Sequence, residues 1–393
     1  MAELRPNVLP VGVNDWDRRL FDELIPLPDG TSYNAFLIKG SEKAALLDTV
    51  DPAKTTRLIE NLLRAGAEKV DYVISHHAEQ DHSGAIPDIL MFYPDAKVVT
   101  NPRCKDMLID HLGIEEEKFI TVEDGETLTL GDKTLKFIYI PWVHWPETMA
   151  TYLVEDKILF PCDFFGAHLA SSGLFVEHEP TVYEAAKRYY AEIMMPFRSA
   201  IKKNLEKIAD LEIDMIASSH GPIYNNPGFI LDAYKDWVGD DVKNEAVVAY
   251  VSMHDSTRKM VEHFTGALIE RGISVRQINL VNVDIGKLAV ALVDAATIVI
   301  GSPTVLVGAH PLAAQAAILA NALRPKARFA TIIGSYGWGG RMVEQLTGML
   351  SNLKAELIEP VLVKGCPGDE HFADLDDLAQ EILARHQEEG IVD

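Results

Sequence analysis

The stretch Val70-Asp71-Tyr72-Val73-Ile74-Ser75-His76-His77-Ala78-Glu79-Gln80-Asp81-His82-Ser83-Gly84 decides how this chain is read. Its first six residues have the apolar, β-branched character of a strand. Beyond Ser75, His77, Glu79 and Asp81 recur at every second residue. In an extended or loosely coiled loop at a strand end, that spacing places three side chains on one side. His76, one residue out of phase, then faces away. One imidazole and two carboxylates make a ligand set suited to a fairly hard divalent metal. Alone, such a short motif is equally compatible with a solvated turn. One strand end also cannot complete a coordination shell, so a metal reading needs partners from elsewhere.

Three further candidates each end an apolar run. His144 lies in Pro141-Trp142-Val143-His144-Trp145-Pro146, just past Leu135–Ile140. Asp163 ends Ile158-Leu159-Phe160-Pro161-Cys162-Asp163. His220 ends Met215-Ile216-Ala217-Ser218-Ser219-His220. Three histidines and three carboxylates exceed the needs of one zinc and suit two metals sharing a bridge, which sit ~3.5–4 Å apart in such sites. His82 belongs to the motif without being needed as a ligand. His111, His168 and His178 read as surface or supporting groups. Trp142, Trp145, Phe164 and Phe165 flank the candidates and either exclude water or simply pack the core.

The surroundings divide into two rhythms. From Tyr33 to Ile140 short strands are expected at Tyr33–Ile38, Ala44–Leu47, Val70–Ser75, Lys97–Thr100, Phe119–Val122 and Thr134–Ile140, with helices at Ala53–Arg64, Lys105–Leu112, Val182–Ile193 and Ala200–Ile208. After a polar stretch at Asp236–Asn244, strands and helices alternate. The expected strands are Ala246–Val251, Val275–Leu280, Thr297–Ile300, Phe329–Ile333 and Glu356–Val363. The expected helices are Thr257–Glu270, Lys287–Val293, Pro311–Leu323, Met342–Leu350 and Leu375–Arg385. Five of each predict a parallel sheet covered on both faces. The chain is thus expected to be α/β, with one domain over 1–244 and a second over 245–393.

Three loops at strand ends of the second half carry the next signal. Ser252-Met253-His254-Asp255-Ser256-Thr257 leads straight into a helix, so its hydroxyls and free backbone N–H groups can cradle a phosphate. An ordinary helix cap by Asp255 or Ser256 accounts for the same residues. The other two loops are Gly301-Ser302-Pro303-Thr304-Val305-Leu306-Val307-Gly308 and Gly334-Ser335-Tyr336-Gly337-Trp338-Gly339-Gly340. Both fall at the carboxyl ends of parallel strands, where open α/β sheets bind ligands. Neither a Gly-x-Gly-x-x-Gly nor a nucleotide P-loop is present. One phosphate loop with two loops able to border a flat ring reads as a mononucleotide flavin site, FMN.

Composition bounds the alternatives. The 393 residues carry 36 Lys and Arg against 59 Asp and Glu, a formal net charge of −23. That charge disfavours nucleic acid and anionic membrane surfaces as partners. Cys104, Cys162 and Cys366 are too few and too scattered for a disulfide framework or a cysteine metal site. No apolar run is long enough to span a bilayer and the first residues lack a signal-peptide core, so a cytoplasmic protein is expected.

The order His77, Glu79, Asp81, His82, His144, Asp163, His220 resembles the metallo-β-lactamase fold, whose hydrolases carry His-x-His-x-Asp-His. Here Glu79 replaces the second imidazole, which adds charge and hardness and shifts preference from zinc towards iron. With Gly-Ser-Pro-Thr and Gly-Ser-Tyr-Gly-Trp-Gly-Gly in the second half, the chain resembles the flavodiiron proteins along essentially its whole length. The resemblance implies an N-terminal metallo-β-lactamase-like αββα domain followed by a flavodoxin-like doubly wound parallel sheet. It implies one iron held by His77, Glu79 and His144, a second by Asp81 and His220, and Asp163 bridging the two iron ions. FMN would lie against Ser252, Met253, His254, Asp255, Ser256 and Thr257, against Pro303, Thr304, Val305 and Leu306, and against Ser335, Tyr336, Gly337, Trp338 and Gly339.

The activity implied is reduction of dioxygen to water, of nitric oxide to nitrous oxide, or both. Without paired cysteines there is no fused rubredoxin, so electrons come from a separate rubredoxin-like protein or a soluble reductant. A head-to-tail homodimer or a dimer of dimers is implied as well. His254 stands where many relatives have Trp, and Arg18-Arg19-Leu20-Phe21-Asp22 lacks a His that many relatives carry near the metals. Two other readings remain at this point: a zinc-dependent hydrolase with an accessory flavodoxin-like domain, and an electron carrier whose metal half is structural.

Overall fold

The computed structural model describes residues 3–393, which form two compact units. The first runs up to Tyr190 and includes Phe197–Val238; the second comprises Ala191–Pro196 and Gly239–Asp393. The main division therefore falls at Gly239, ahead of the 244/245 boundary expected from the sequence. The stretch Asp236–Asn244 is not a linker throughout. Asp236 and Val238 end a helix, Pro227–Val238, and Lys243 opens a strand, Lys243–Tyr250. The sequence does not announce this helix because only its stripe Ile230, Ala233, Tyr234, Trp237 and Val238 is buried, leaving a more polar outer face.

The first unit is built on two sheets. One has six strands in the order Val8–Pro10, Phe36–Lys39, Ala44–Leu47, Tyr72–Ile74, Lys97–Thr100, Phe119–Thr121. Its first two pairings are antiparallel and the last three parallel. The period of two sorts its side chains. Leu37, Leu46, Val73 and Val98 pack with Leu58 and Leu62 of the helix Thr55–Arg64 and with Leu108 of the helix Pro102–Leu112. Phe36, Ile38, Leu47, Ile74 and Val99 instead meet Leu135, Phe137, Met149, Leu153, Ile158 and Phe160 of the second sheet. Strands buried on both faces read as unbroken apolar runs, which is why the motif strand was visible in the sequence.

The second sheet has the order Thr127–Thr129, Thr134–Tyr139, Met149–Leu153, Ile158–Phe160, Met215–Ile216. Two antiparallel steps and then a parallel one make Thr134–Tyr139, Ile158–Phe160 and Met215–Ile216 run the same way. Their carboxyl ends therefore deliver His144, Asp163 and His220 to one rim. Two expectations are corrected here. The strand Tyr33–Ile38 breaks at Asn34-Ala35 into Thr31–Tyr33 and Phe36–Lys39. The helix expected at Val182–Ile193 is Glu179–Tyr189, followed by a wider-wound turn, Tyr190–Met194.

The second unit holds a sheet ordered Ser274–Asn279, Lys243–Tyr250, Ala295–Val305, Phe329–Tyr336, with Glu356–Leu357 and Val361–Lys364 sharing the last edge. These pairings are all parallel. Pro360, which has no N–H to give a ladder, follows the break in the fifth strand. The helices are Ser256–Glu270, Ile285–Leu292, Pro311–Leu323, Met342–Met349 and Asp369–Glu388, the last longer at both ends than expected. Because the first strand lies between the second and third, the connections wind in opposite directions on its two sides. This is the switch point at which doubly wound sheets open a crevice. Among the described residues no helix is long and apolar enough to cross a membrane.

Candidate functional site

In the first unit the six sequence-predicted ligands converge. Extended alternation is not what brings them together. Glu79 is extended, but Gln80–Ser83 forms a single helical turn, and that turn aims Asp81 and His82 together. Ser83 Oγ donates to the Ala78 and Glu79 carbonyls and pins the turn. His76 does face away, with Nδ1 2.6 Å from Asp48 Oδ2 and Nε2 2.7 Å from Thr151 Oγ1.

Asp163 divides the site by its two oxygens. Oδ2 lies 3.5 Å from His77 Nε2 and 3.4 Å from His144 Nε2, and both rings sit 3.1 Å from Glu79 Oε2. Oδ1 lies 3.2 Å from His220 Nε2 and 3.0 Å from His82 Nε2, and both rings sit 3.2 Å from Asp81. Two clusters thus share one carboxylate. His82, left undecided by the sequence, falls inside the second cluster. The donor atoms of His77, Glu79, His144 and Asp163 lie within 4.8 Å of one another, as do those of Asp81, His82 and His220.

Both oxygens of Asp81 and of Asp163, and Nε2 of His82, are buried without a hydrogen-bond partner. Buried polar groups are ordinarily satisfied, so orphans aimed at common points call for ions there. Charge says the same. Burial disfavours a charged His144 ring, yet Asp163 and Glu79 outweigh it and hold the ring at about 9. His220 is likewise pushed up to about 10 by Asp163 and Asp81 against the cost of burial. Burial works against a charged Glu79 too, but His144 and His77 keep its carboxyl well below the usual range. Without metal, protons do the neutralising; a divalent pair would displace them.

Partners outside the clusters fix the rings. His77 Nδ1 is 2.7 Å from Glu147 Oε1, and His220 Nδ1 donates to the Ser32 carbonyl at 2.7 Å. Trp145 meets the His77 ring edge-on at 4.8 Å. His168, read from the sequence as surface or supporting, is buried: Nδ1 lies 2.9 Å from Thr31 Oγ1 and its ring 4.7 Å from His220 and 4.8 Å from Tyr189. Burial, then the neighbouring His220, holds it well below the usual histidine range. Gly166 leaves no room for a Cβ, which would come within 3.1 Å of the Tyr189 ring. Phe164 and Phe165 stack at 3.8 Å and pack edge-on against Tyr234. Asp22, at the tip of the hairpin Leu20–Pro26, feels partial burial and then the charges of Glu79 and Asp81, and its carboxyl is raised. Asp48, Trp142, Cys162 and Phe165 all adopt positive φ, a strain that clusters around the ligand loops.

In the second unit the three loops lie at carboxyl ends of adjacent strands. Asp255 occupies the cap position of Ser256–Glu270 with φ +67 and makes no side-chain cap bond. Ser252 Oγ instead accepts from the Arg258 N–H at 3.2 Å, and the N–H groups ahead of Arg258 in this fifteen-residue helix have no intrahelical carbonyl to meet, which suits a ligand. Thr257 Oγ1 lies 2.9 Å from Ser335 Oγ and ties the first loop to the third. The strand through Ser302 runs on to Val305 and returns as a hairpin, Thr304 pairing Ala309 and Val305 pairing Gly308. Its tip, Leu306 and Val307, has φ +49 and +67 and is 94% and 61% exposed. Trp338 is 91% exposed between Gly337 and Gly339, so an apolar rim borders the crevice. Met253, in the first loop, is 44% exposed.

A metallo-β-lactamase-like unit carrying two fused ligand clusters, followed by a flavodoxin-like unit, defines the class. Residues 31–221 match the ODP family beta lactamase. The chain is 36% identical over 384 residues to a nitric oxide reductase of Moorella thermoacetica, covering 95% of this chain and 96% of that protein. The solved rubredoxin oxygen:oxidoreductase of Desulfovibrio gigas superposes with a TM-score of 0.96 at 27% identity, covering all of both chains. The flavodiiron protein of Giardia intestinalis gives 0.90 at 28% identity, covering 98% of this chain and 96% of that one. The chain belongs to the flavodiiron protein family.

Proposed function

We propose that this protein is an FMN- and diiron-dependent reductase of dioxygen, nitric oxide or both. The observation that carries the reading is the Asp163 carboxylate, buried, without a hydrogen-bond partner, and facing a separate histidine–carboxylate cluster with each oxygen. His77, Glu79 and His144 would hold one iron, and Asp81 and His220, with His82 beside them, would hold the other. Glu79 in place of an imidazole supports iron over the zinc of a hydrolase.

The irons supply a binding place and electrons for the diatomic, and FMN supplies a carrier that takes electrons singly or in pairs. The chain's own residues do the rest. Glu147 and the Ser32 carbonyl fix ring orientation. Trp145 against His77 and Tyr189 against His220 line the clusters with ring surface that limits water and strengthens each charge inside. The N-terminus of the helix beginning at Ser256 would receive the FMN phosphate, with Ser252, Met253, His254, Asp255 and Thr257 around it. Pro303 to Leu306, and Ser335 to Gly339, border the ring. Electrons come from a separate donor, a rubredoxin-like protein or a soluble reductant. The assembly is a head-to-tail homodimer or a dimer of dimers, which light scattering on the purified protein measures directly.

The test is anaerobic reduction of purified protein, with FMN and iron quantified, followed by separate oxygen and nitric oxide consumption. One FMN and two irons per chain with consumption of either gas is the expected result. Zinc, esterase or thioesterase turnover and no flavin would establish the hydrolase instead.

A further inference from the structure

We propose that Glu147 is a positioning residue that sets the charge of one metal position alone, the one formed by His77, Glu79 and His144, and so makes that iron the lower-potential member of the pair. The inference rests on the diiron reading above and adds an asymmetry to it.

Glu147 sits between the His144 loop and the strand Met149–Leu153, with no side-chain exposure. Its Oε1 accepts from His77 Nδ1 at 2.7 Å and from the Ala78 N–H at 3.1 Å. Its backbone carbonyl accepts from Asn101 Nδ2 at 2.6 Å. Asn101 is itself immobile, since its Oδ1 caps the helix Pro102–Leu112 through the Cys104 N–H. Glu147 is therefore anchored at both ends. Its second oxygen, Oε2, is buried and meets no donor, so only backbone N–H groups share with His77 the charge of this carboxylate.

The opposite cluster has no equivalent. His220 Nδ1 donates to a neutral acceptor, the Ser32 carbonyl. Asp48, another buried carboxylate, lies within 4.8 Å of a His82 ring nitrogen, but its hydrogen bonds go to the backbone N–H and the ring Nδ1 of His76, which faces away from the clusters, and none goes to a ring that contacts Asp163. The two positions thus differ in one respect: a buried carboxylate is hydrogen-bonded directly to the ring of His77, and none is hydrogen-bonded to the far side of the ring of His220. An imidazole that donates to a carboxylate is a more basic ligand than one that donates to a carbonyl. In dry surroundings that extra negative charge is weakly screened. It favours the ferric over the ferrous ion at the His77 position. That iron is then oxidised first and reduced last, and in the mixed-valence state it is the ferric one.

The experiment compares the purified holoprotein with Glu147→Gln and Glu147→Asp, measuring iron per chain and titrating the mixed-valence EPR signal against potential. An amide oxygen still accepts from His77 and Ala78, so Glu147→Gln removes the charge and spares the fold. The wild type is expected to show two separated one-electron couples. Glu147→Gln is expected to raise the lower couple by a tenfold or greater loss of ferric preference, 59 mV for one electron. The upper couple stays in place, so the mixed-valence window narrows. Glu147→Asp, which keeps the charge, restores most of the separation. Selective loss of one iron in Glu147→Gln but not in Glu147→Asp supports the same assignment through affinity. Unmoved couples in Glu147→Gln, or equal shifts of both couples in both variants, overturn the inference while leaving the diiron reading intact. A wild type that never holds two irons per chain overturns the diiron reading itself.

Discussion

His386 makes the flavin-binding unit acid-sensitive in a way that can be measured separately from the metals. The ring is wholly buried in the last helix, over Phe329. Nδ1 lies 2.8 Å from Asn244 Oδ1, and Nε2 lies 2.7 Å from Thr297 Oγ1. Asn244 uses its Nδ2 on the Gly272 carbonyl, which fixes its oxygen towards the ring. The neutral tautomer therefore carries its proton on Nδ1. Burial pulls the ring down from 6.5 to about 4. The sign follows from linkage: between those values the unfolded chain binds a proton that the folded chain refuses. Stability is full above about 6.5, falls as pH drops towards 4, and levels below it. At about 1.4 kcal/mol per pH unit the interval is worth at most ~3 kcal/mol, and ~2 kcal/mol after a discount for residual solvent screening. Urea unfolding followed by FMN release, at pH 7.5 and 4.5, compares the wild type with His386→Gln. The variant starts less stable, by ~1 kcal/mol for the poorer hydrogen-bond fit. Its decline between the two pH values is expected to be smaller by ~2 kcal/mol, because the FMN affinity term is common to both proteins. Parallel declines would show that His386 titrates normally and that burial does not hold it neutral.

Four further outcomes are expected. Glu79→His restores the hydrolase-like imidazole and should lower the iron-to-zinc ratio of protein grown in mixed metal at least tenfold, read by elemental analysis. Asp163→Asn removes the shared charge, and fewer than two irons per chain should survive gel filtration. Thr257→Val breaks the tie between the first and third flavin loops and should weaken FMN binding roughly fivefold by fluorescence titration, consistent with ~1 kcal/mol for one hydrogen bond. Trp237→Ala empties a fully buried site whose indole N–H donates to Tyr183 Oη at 3.2 Å, and should cost ~3–5 kcal/mol in denaturant unfolding.

How much of the site the sequence discloses depends on the range of each interaction. His77, Glu79 and Asp81 are legible because they lie within five residues. The physical reason is not the one that their spacing suggests, since a helical turn at Gln80–Ser83 replaces the extended alternation. That same turn brings in His82, which alternation would have turned aside. His144, Asp163 and His220 are legible because each ends a strand, and parallel orientation within one sheet puts those ends on one rim. The supporting contacts are another matter. Glu147 is 70 residues from His77 and Ser32 is 188 from His220. No local pattern marks either of them, and a backbone carbonyl leaves no trace in a sequence at all. In the second unit the alternation of strands and helices was plain, and Pro311–Leu323 matches residue for residue. The hairpin at Thr304–Ala309 was not, because Leu306-Val307 lacks the Asn and Gly that usually announce a tight reversal.

That hairpin bears on why the flavin loops differ in kind. A β-branched residue at positive φ costs free energy that an Asn-Gly tip would avoid, and both tip side chains are spread into solvent. Folding of this unit gains nothing from such a tip. Its surroundings nevertheless hold it firmly: the Val307 carbonyl accepts from the Arg341 N–H at 2.8 Å, and Gln345 Oε1 accepts from the Ala309 N–H at 2.9 Å. Gly340 lets the turn approach so closely that a Cβ there would fall 3.0 Å from the Val307 oxygen. Strain and exposure kept in place by specific bonds are the marks of a surface shaped for a ligand. With Trp338 exposed on the neighbouring loop, the apolar rim suits the face of a flat ring, while the N-terminus of the helix at Ser256 suits a phosphate. The first unit follows the same logic in charge rather than in apolar area: orphaned carboxylates and raised imidazoles are tolerable in a folded chain only where ions complete them.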